Sequence, residues 1–367
     1  MEDIGRSKKA ERAFAFDDVA IVPSKRTRDI DDTDLTWKLD AVTLDFPIVA
    51  APMDSVMSPA TVVMVGRLGG LGVLNLEGLW TRYDDPEPIF EELAAIDDQV
   101  GATRAMQAVY AEPIKPELIA ARLAEIAAAQ VPFAASLSPK HARDFADVAQ
   151  AGGIDFLVIR GTTVSAQHVS TSAEPLDLGH FVATLDVPVI VGGTANYHTA
   201  LHLMRAGVAG VLVGFGGGAR RATRAVLGVE VPMATAVSDV AAARRDYLDE
   251  SGGRYVGVIA DGSIAGSGDI AKALACGADA AMIGVPLAKA VEAPGRGYHW
   301  GPEAWHPTLS RGRRAHFDTI GTLEEILVGP SSVADGSMNL VGALRRTLAS
   351  TGYTDIKSFQ RAELVIV

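Results

Sequence analysis

The chain has 367 residues, and its 48% hydrophobic and 21% charged content is that of an ordinary enzyme domain with one large core. The formal net charge of -12 disfavours nonspecific binding to nucleic acid or to anionic membrane surfaces, and the single cysteine excludes an intramolecular disulfide or a cysteine-clustered zinc site. No metal-binding motif stands out among the eight histidines, and no signal segment or membrane-spanning apolar run is seen, so we expect a cytoplasmic protein.

After an N-terminal extension, 1–45, short apolar segments alternate with alanine-rich helical stretches, the pattern of a parallel sheet built from βα units. Helices are predicted, for example, at 116–129, 198–206 and 239–248. Eight units fit an α/β fold of the (β/α)8 TIM-barrel type over 46–291, with a doubly wound open sheet as the alternative. The eight predicted strands are 46–50, 71–74, 131–136, 156–159, 187–191, 210–213, 255–260 and 280–283.

Two stretches depart from this alternation. The segment 76–131 is longer than a single connecting helix requires. We interpret it as an elaborated β2 to β3 connection rather than a second domain. Residues 292–318 are rich in Gly, Pro, His, Trp and Arg without periodicity, which predicts a long, mobile, flap-like loop after strand eight. With a C-terminal segment, 319–367, the chain forms a single domain.

A glycine-rich segment from Gly214 to Arg224 follows the sixth predicted strand and opens a helical run. Four glycines within five positions allow backbone N–H groups to approach an anion, and a helix N-terminus adds partial positive charge. The segment therefore has the form of a phosphate-binding loop, although a tight strand-to-helix turn explains the glycines equally well.

An acidic residue, Asp261, stands at the end of the seventh predicted strand and is followed by Gly262 and Ser263. In a parallel α/β sheet, ligands bind at the carboxyl ends of the strands, and a carboxylate there accepts hydrogen bonds from vicinal sugar hydroxyls. The eighth strand ends at Gly284, which simple loop or helix geometry also explains.

Several motifs occur in register along the chain, at segments 16–23, 47–56, 67–75, 214–224, 259–264 with 267–269, 277–284, 340–345 and 352–353. Together they resemble the IMP dehydrogenase and GMP reductase superfamily. The resemblance covers most of the chain and identifies it as a short member without the regulatory pair of CBS modules, because only a short segment from Glu77 to about Glu91 stands at their position.

The resemblance implies a TIM barrel that binds a purine 5'-monophosphate at its carboxyl-end face, NAD or NADP as cofactor, a monovalent cation at the Gly214–Gly218 loop, and a homotetramer. Met53 would pack near the base and Asp261 would hold the ribose hydroxyls. The remaining nucleotide-binding residues implied by the resemblance are Gly216, Gly218, Gly262, Ser263 and Gly284.

The chain departs from the family pattern where the family's chemistry occurs. The family uses a cysteine thiolate to attack purine C2, and Arg221 stands at that position, with Ala219 where a serine usually contacts phosphate. Arginine stays protonated in proteins and is no nucleophile, so the covalent route is closed to this chain. Cys276, predicted to lie in mid-helix far from the site, is interpreted as a small core residue.

Other family positions have also changed. The fourth strand ends in Arg160 where the dehydrogenases usually have Asp, and the fifth ends in Gly193 and Thr194 where they usually have Gly-Asn. Thr223 matches the family's loop threonine, which assists water or ammonia handling, but a hydroxyl at a helix N-terminus explains it too. In the flap-like loop the family's Arg-Tyr pair has no clear counterpart, although three arginines offer guanidinium groups there: Arg311, Arg313 and Arg314.

Three functions remain open at this stage. The first is a purine nucleotide-binding oxidoreductase whose family chemistry lacks its nucleophile. The second is a noncatalytic nucleotide sensor or partner subunit, in which Arg160, Arg220 and Arg221 form an anion-binding cluster. The third is another phosphate-binding barrel enzyme, such as a flavin-dependent oxidoreductase.

Overall fold

The computed structural model describes residues 2–4, 6–171, 175–215, 222–306 and 314–367. Eight short segments rich in valine, isoleucine and alanine form parallel strands that are buried almost throughout, as expected for a sheet covered on both faces. The strands are β1 (Ile48–Ala50), β2 (Gly72–Asn75), β3 (Phe133–Leu137), β4 (Phe156–Arg160), β5 (Val189–Thr194), β6 (Gly210–Val213), β7 (Gly257–Asp261) and β8 (Ala280–Ile283).

The strands close into a barrel. Each strand pairs in parallel with its neighbours in chain order, and β8 returns to β1 with Met282 opposite Val49. Two backbone hydrogen bonds close the gap between β1 and β2. The amide of Ala50 donates to the carbonyl of Leu71 at 2.8 Å, and the amide of Leu71 donates to the carbonyl of Ile48 at 3.1 Å. The predicted TIM barrel is confirmed, and the open-sheet alternative is wrong.

Helices surround the barrel. Their ends follow local signals: α1, for example, begins after Ser58, whose side chain accepts from the amide of Thr61, and ends at Gly69 with φ of 102°. The helices are α1 (Pro59–Leu68), α2 (Glu87–Ala95), α3 (Gln99–Val109), α4 (Pro116–Ala127), α5 (Ala142–Ala151), α6 (Leu178–Ala183), α7 (Tyr197–Arg205), α8 (Ala222–Leu227), α9 (Met233–Glu250), α10 (Ser267–Ala275), α11 (Val285–Ala288), α12 (Leu323–Leu327), α13 (Leu340–Thr351) and α14 (Ile356–Phe359). Within the described ranges, no helix has the length and apolarity needed to cross a membrane.

The connection from β2 to β3 is elaborated, as predicted, by α2 and α3 ahead of α4, the helix that returns to the barrel wall. We call α2 and α3 together with the preceding turn Leu79–Thr81 the insert. The insert has its own small core, which also includes Trp300 and Ala304 from the loop after β8. The insert and the loop after β8, the two stretches that depart from the βα alternation, therefore pack against each other.

The loop after β8 is a hairpin in its described part, because Tyr298–His299 pairs antiparallel with Ala315–His316. Arg314 is fully buried, donates to the carbonyls of Leu93 and Ile96 in the insert, and has its guanidinium 3.9 Å from the ring centroid of Tyr298. Arg314, which the sequence analysis offered as a guanidinium for a ligand, instead holds the loop against the insert. Arg311 and Arg313 lie outside the described residues, and the expected mobility of the loop stays a prediction.

The opposite end of the barrel is closed by the N-terminal extension. Its strands Trp37–Leu39 and Val42–Leu44 form an antiparallel hairpin. Leu39 reaches Gly257, where an added Cβ would lie 2.6 Å from its Cδ1 atom, so any larger residue at the start of β7 would force Leu39 to move. The amino end is therefore filled, and the carboxyl ends of the strands form the face on which a ligand can bind.

Candidate functional site

A pocket opens at the carboxyl ends of β1, β4, β7 and β8. Five of the seven nucleotide-binding residues predicted from the resemblance line it: Met53, Asp261, Gly262, Ser263 and Gly284. Arg160 and His299 add a cation and an imidazole to the same wall. The other two predicted residues, Gly216 and Gly218, lie outside the described part of the chain, as do Arg220 and Arg221.

The charged centre of the pocket is an ion pair between the last residues of β4 and β7. Arg160 donates from Nε to Asp261 Oδ2 at 3.0 Å and from Nη2 to Oδ1 at 3.4 Å. Burial lowers the pKa of Arg160, but the carboxylate of Asp261 outweighs it and raises this pKa overall. The pair spans the mouth of the barrel, since β5 and β6 separate the two strands.

This pair changes the roles expected of both residues. The sequence assigned Asp261 to ribose hydroxyls and Arg160 to an anion, whereas the structure places each against the other. The positive charge of Arg160 is therefore already compensated inside the protein, and it does not add a free cation to the pocket. A cluster with Arg220 and Arg221 stays a prediction.

Backbone geometry explains two glycines at this face. Gly214, directly after β6, has φ of 124°, and an added Cβ would collide with the backbone oxygen of Asp261. At Gly284 a Cβ would lie 3.2 Å from Cε1 of His299. Glycine at these positions lets the chain after β6 approach the end of β7 and lets the imidazole of His299 approach the end of β8. Of the predicted cation loop, only Gly214 and Phe215 are described.

His299 is a pocket residue that the sequence analysis did not identify. Its side chain is buried, and its Nδ1 lies 3.3 Å from Oγ of Ser55, which accepts from the amide of Trp300 at 3.2 Å. Burial and, to a lesser degree, the charge of Arg160 lower the pKa of His299 to about 4, so the imidazole is neutral at pH 7. The sequence showed only a histidine-rich loop, and the hairpin decides which histidine faces the pocket.

A buried hydrogen-bond chain supports the pocket from behind. Asp54 accepts from Nδ2 of Asn75 at 3.1 Å and from the hydroxyl of Tyr110 at 2.6 Å. Nε1 of Trp300 in turn donates to the Tyr110 hydroxyl at 2.9 Å. Burial raises the pKa of Asp54, and its hydrogen bonds oppose that rise. The chain connects the β1 loop, α3 and the residue next to His299.

Two buried threonine hydroxyls lie near the glycine-rich segment. Thr194, at the end of β5, accepts from the amide of Gly214 through its carbonyl at 2.6 Å, while its hydroxyl oxygen finds no hydrogen-bond partner among the described residues. The hydroxyl oxygen of Thr223 in α8 is likewise buried and has no hydrogen-bond partner among the described residues. The helix-capping explanation of Thr223 therefore has no hydrogen bond to support it in the part of the chain that is described.

Cys276 is far from this pocket. It lies just after the last residue of α10 rather than in mid-helix, and it precedes β8, whose other end carries Gly284. Burial raises the pKa of its thiol to about 11, so it is a poor nucleophile as well as a distant one. No group of three or more His, Cys, Asp or Glu side chains suited to a metal ion occurs within the described ranges.

Comparison with known proteins agrees with this architecture. The family model for the IMP dehydrogenase / GMP reductase domain matches residues 13–303. An uncharacterized oxidoreductase of Mycolicibacterium smegmatis is 48% identical over 373 aligned residues, which cover all of both chains. The inosine-5'-monophosphate dehydrogenase of Methanocaldococcus jannaschii is 25% identical over 470 aligned residues, and the alignment covers 98% of this chain and 93% of that protein.

Among solved structures, an IMP dehydrogenase/GMP reductase-like protein of Corynebacterium glutamicum is similar over the whole chain. It has a TM-score of 0.95 and 46% sequence identity, with 100% of this chain and 97% of that chain covered. Together with the domain match over residues 13–303, this shows that the chain belongs to the IMP dehydrogenase / GMP reductase family.

Proposed function

We propose that this protein binds a purine 5'-monophosphate at the carboxyl-end face of its barrel. The observation that carries the proposal is the convergence of Met53, Asp261, Gly262, Ser263 and Gly284 on one pocket. These residues come from three separate strand ends, so their meeting is a consequence of the fold and not of sequence proximity.

The proposed pose follows the chemistry of each residue. Met53 offers a flexible apolar side chain to the purine ring. The turn after β7, where Gly262 and Ser263 have φ of 121° and 55°, presents backbone N–H groups to a phosphate. The ribose would lie beside Asp261, whose carboxylate is paired with Arg160. The glycines Gly216 and Gly218 would complete the phosphate site by family resemblance.

Covalent hydride-transfer chemistry does not follow from these residues. NAD or NADP acts in this family on a purine activated by a thiolate, and Arg221 offers no thiolate while Cys276 is buried at the other end of β8. Loss of the nucleophile costs a covalent enzyme on the order of a million-fold in rate. Thr223, the retained loop hydroxyl, does not replace it, so no step is assigned to a nicotinamide cofactor.

The function supported best is therefore purine nucleotide binding on an oxidoreductase scaffold, with turnover lost. The second candidate, a noncatalytic nucleotide sensor or a partner subunit of an active dehydrogenase, is favoured by the same substitution at Arg221. A cytoplasmic homotetramer, and a monovalent cation at the Gly214–Gly218 loop, are carried by the family alone.

Titration calorimetry of the purified protein against IMP, XMP, GMP, GDP and GTP tests the proposal, followed by assays of any bound nucleotide with NAD(H) and NADP(H). We expect binding of a monophosphate without turnover. Binding of none of these nucleotides would refute the proposal, and turnover would show that catalysis proceeds without the thiolate. A yellow purified protein would instead favour the flavin-dependent alternative.

A pair of methionine variants tests whether binding occurs in this pocket. Met53→Ala removes the residue beside the proposed base, and we expect it to weaken monophosphate binding about tenfold, in line with the loss of a buried apolar side chain. Met106→Ala is the matched control, because Met106 is fully buried in the insert core and lines no part of the pocket. Equal affinities of the two variants for the nucleotide would place the site elsewhere.

A further inference from the structure

The guanidinium of Arg160 occupies the carboxylate beside which the proposed function places the ribose. It engages both oxygens of Asp261, at 3.0 Å and 3.4 Å, in a fork that matches the geometry of a carboxylate. Both side chains are largely shielded from solvent, with 13% and 8% of their surface exposed. The pair is therefore a built feature of the pocket and not a surface contact.

A ribose diol and the Arg160 fork compete for the same two oxygens. A cis-diol binds a carboxylate by donating one hydroxyl to each oxygen, and the two N–H groups of Arg160 already do so. The guanidinium also carries a positive charge, so it is held by ion pairing as well as by hydrogen bonds, whereas the diol offers hydrogen bonds alone. A neutral diol thus cannot displace the guanidinium without help from the rest of the ligand.

A second carboxylate is close enough to act on Arg160. Glu303, in the loop after β8, contributes to the raised pKa of Arg160 and accepts from the hydroxyl of Thr162 at 2.9 Å. Thr162 follows β4 by two residues, so Glu303 is held beside the chain segment that carries Arg160. The negative charge of Glu303 therefore favours the charged form of Arg160, which is the form that pairs with Asp261.

We propose that Arg160 is a specificity-determining residue that masks Asp261, so that this protein holds its nucleotide without recognising the 2' and 3' hydroxyls. The inference rests on the proposed function, since it concerns the ribose part of the same site. It predicts that the protein binds purine ribonucleotides and their dideoxy analogues about equally well.

The test compares IMP with 2',3'-dideoxy-IMP in titration calorimetry at pH 8. For the unaltered protein we expect dissociation constants within about threefold of each other. Arg160→Ala frees Asp261, and because hydrogen bonds to a charged group are the stronger class, we expect it to prefer IMP over the dideoxy analogue by about tenfold or more. Arg160→Gln, which is shorter and neutral but keeps an amide donor, should fall between the two.

A double-mutant cycle assigns the effect to the pair. Asp261→Asn alone should change the IMP to dideoxy-IMP ratio by less than about twofold, whereas in the Arg160→Ala background it should abolish the new preference. Arg205→Ala is the control for loss of an arginine, because Arg205 pairs with Glu250 on an exposed surface far from the pocket. Thermal unfolding of each variant checks that it is folded. If Arg160→Ala does not fold, Arg160→Gln takes its place in the cycle.

The outcomes separate this inference from the proposed function. If the unaltered protein already prefers IMP by tenfold or more, or if Arg160→Ala and Arg160→Gln gain no preference, masking is wrong while purine binding stands. Binding only by the Arg160 variants would overturn both the proposed function and the inference, because the unaltered protein would then hold no nucleotide. If no protein binds either nucleotide, purine binding is wrong and the inference falls with it.

Discussion

The buried imidazole of His299 makes the stability of the protein depend on pH. Its pKa is lowered to about 4 by burial and by the charge of Arg160, whereas an unfolded histidine titrates near 6.5. Between these two values the unfolded chain binds a proton that the folded chain does not. Stability therefore falls as the pH is lowered from 6.5 to 4, and above 6.5 this contribution is complete.

Replacing His299 with glutamine should remove this acid sensitivity. The difference between the two pKa values corresponds to about 3 kcal/mol, so from pH 7 to pH 4.5 the unaltered protein should lose roughly 2 to 3 kcal/mol more stability than His299→Gln. Denaturant unfolding at the two pH values measures this. His202→Gln, an exposed position on α7, is the control and should behave like the unaltered protein. Equal losses for all three proteins would mean that the imidazole is protonated in the folded state.

Among the elements, the insert and the loop after β8 form one supporting unit. Tyr110 at the end of α3 donates to Asp54 at 2.6 Å and accepts from Trp300 at 2.9 Å, and Trp300 follows His299 directly. Arg314 adds a second connection by donating to two carbonyls of the insert. The position of the pocket histidine therefore depends on a helix that does not touch the pocket.

Tyr110→Phe tests this dependence by removing one hydroxyl. The buried carboxylate of Asp54 then loses a donor and the indole N–H of Trp300 loses an acceptor, so we expect about 1 to 3 kcal/mol of lost stability and several-fold weaker nucleotide binding. Tyr83→Phe is the matched control, because the Tyr83 hydroxyl donates at 2.9 Å to the carbonyl of Val109 within the insert. Unfolding and calorimetry are the measurements, and unchanged nucleotide affinity in Tyr110→Phe would show that the insert does not position the pocket.

The local elements were predictable because their signals are local. Hydrophobic runs and glycine turns placed all eight strands within a few residues of their observed bounds. The pairings that make the site are not local: Arg160 and Asp261 lie 101 residues apart, and Tyr110 and Trp300 lie 190 residues apart. Strand ends predicted which residues share a face, but neither hydrophobic period nor motif spacing indicates which cation meets which carboxylate.

Across the whole molecule, the two ends of the barrel carry different buried charges. The amino end is held by Asp279, which precedes β8 and accepts at 2.6 Å from Nη1 of Arg244, from Nζ of Lys357 and from the hydroxyl of Tyr255. These contacts join α9, the residues just before β7 and the C-terminal segment. In TIM barrels, stability and ligand binding are commonly divided between the amino and carboxyl ends in this way.

Asp279→Asn should therefore reduce stability without reducing nucleotide binding. Burial raises the pKa of Asp279, but the charges of Arg244 and Lys357 outweigh it and lower this pKa overall. Because the folded pKa lies below the unfolded value, the contribution is present above about pH 4 and is lost as the pH falls through the folded pKa. Leaving the buried cation of Arg244 without its partner costs about 3 to 5 kcal/mol at pH 7.

Denaturant unfolding at pH 7 measures stability, and calorimetry under native conditions measures nucleotide affinity. Together they distinguish the roles of the two ends of the barrel. We expect Asp279→Asn to keep its nucleotide affinity within about twofold. Glu250→Gln, which breaks an exposed pair with Arg205, should cost less than about 1 kcal/mol and serves as the control for losing a carboxylate. If Asp279→Asn weakened nucleotide binding as strongly as it weakened the fold, the two ends would be coupled through the strands, and pocket variants would have to be compared at equal stability.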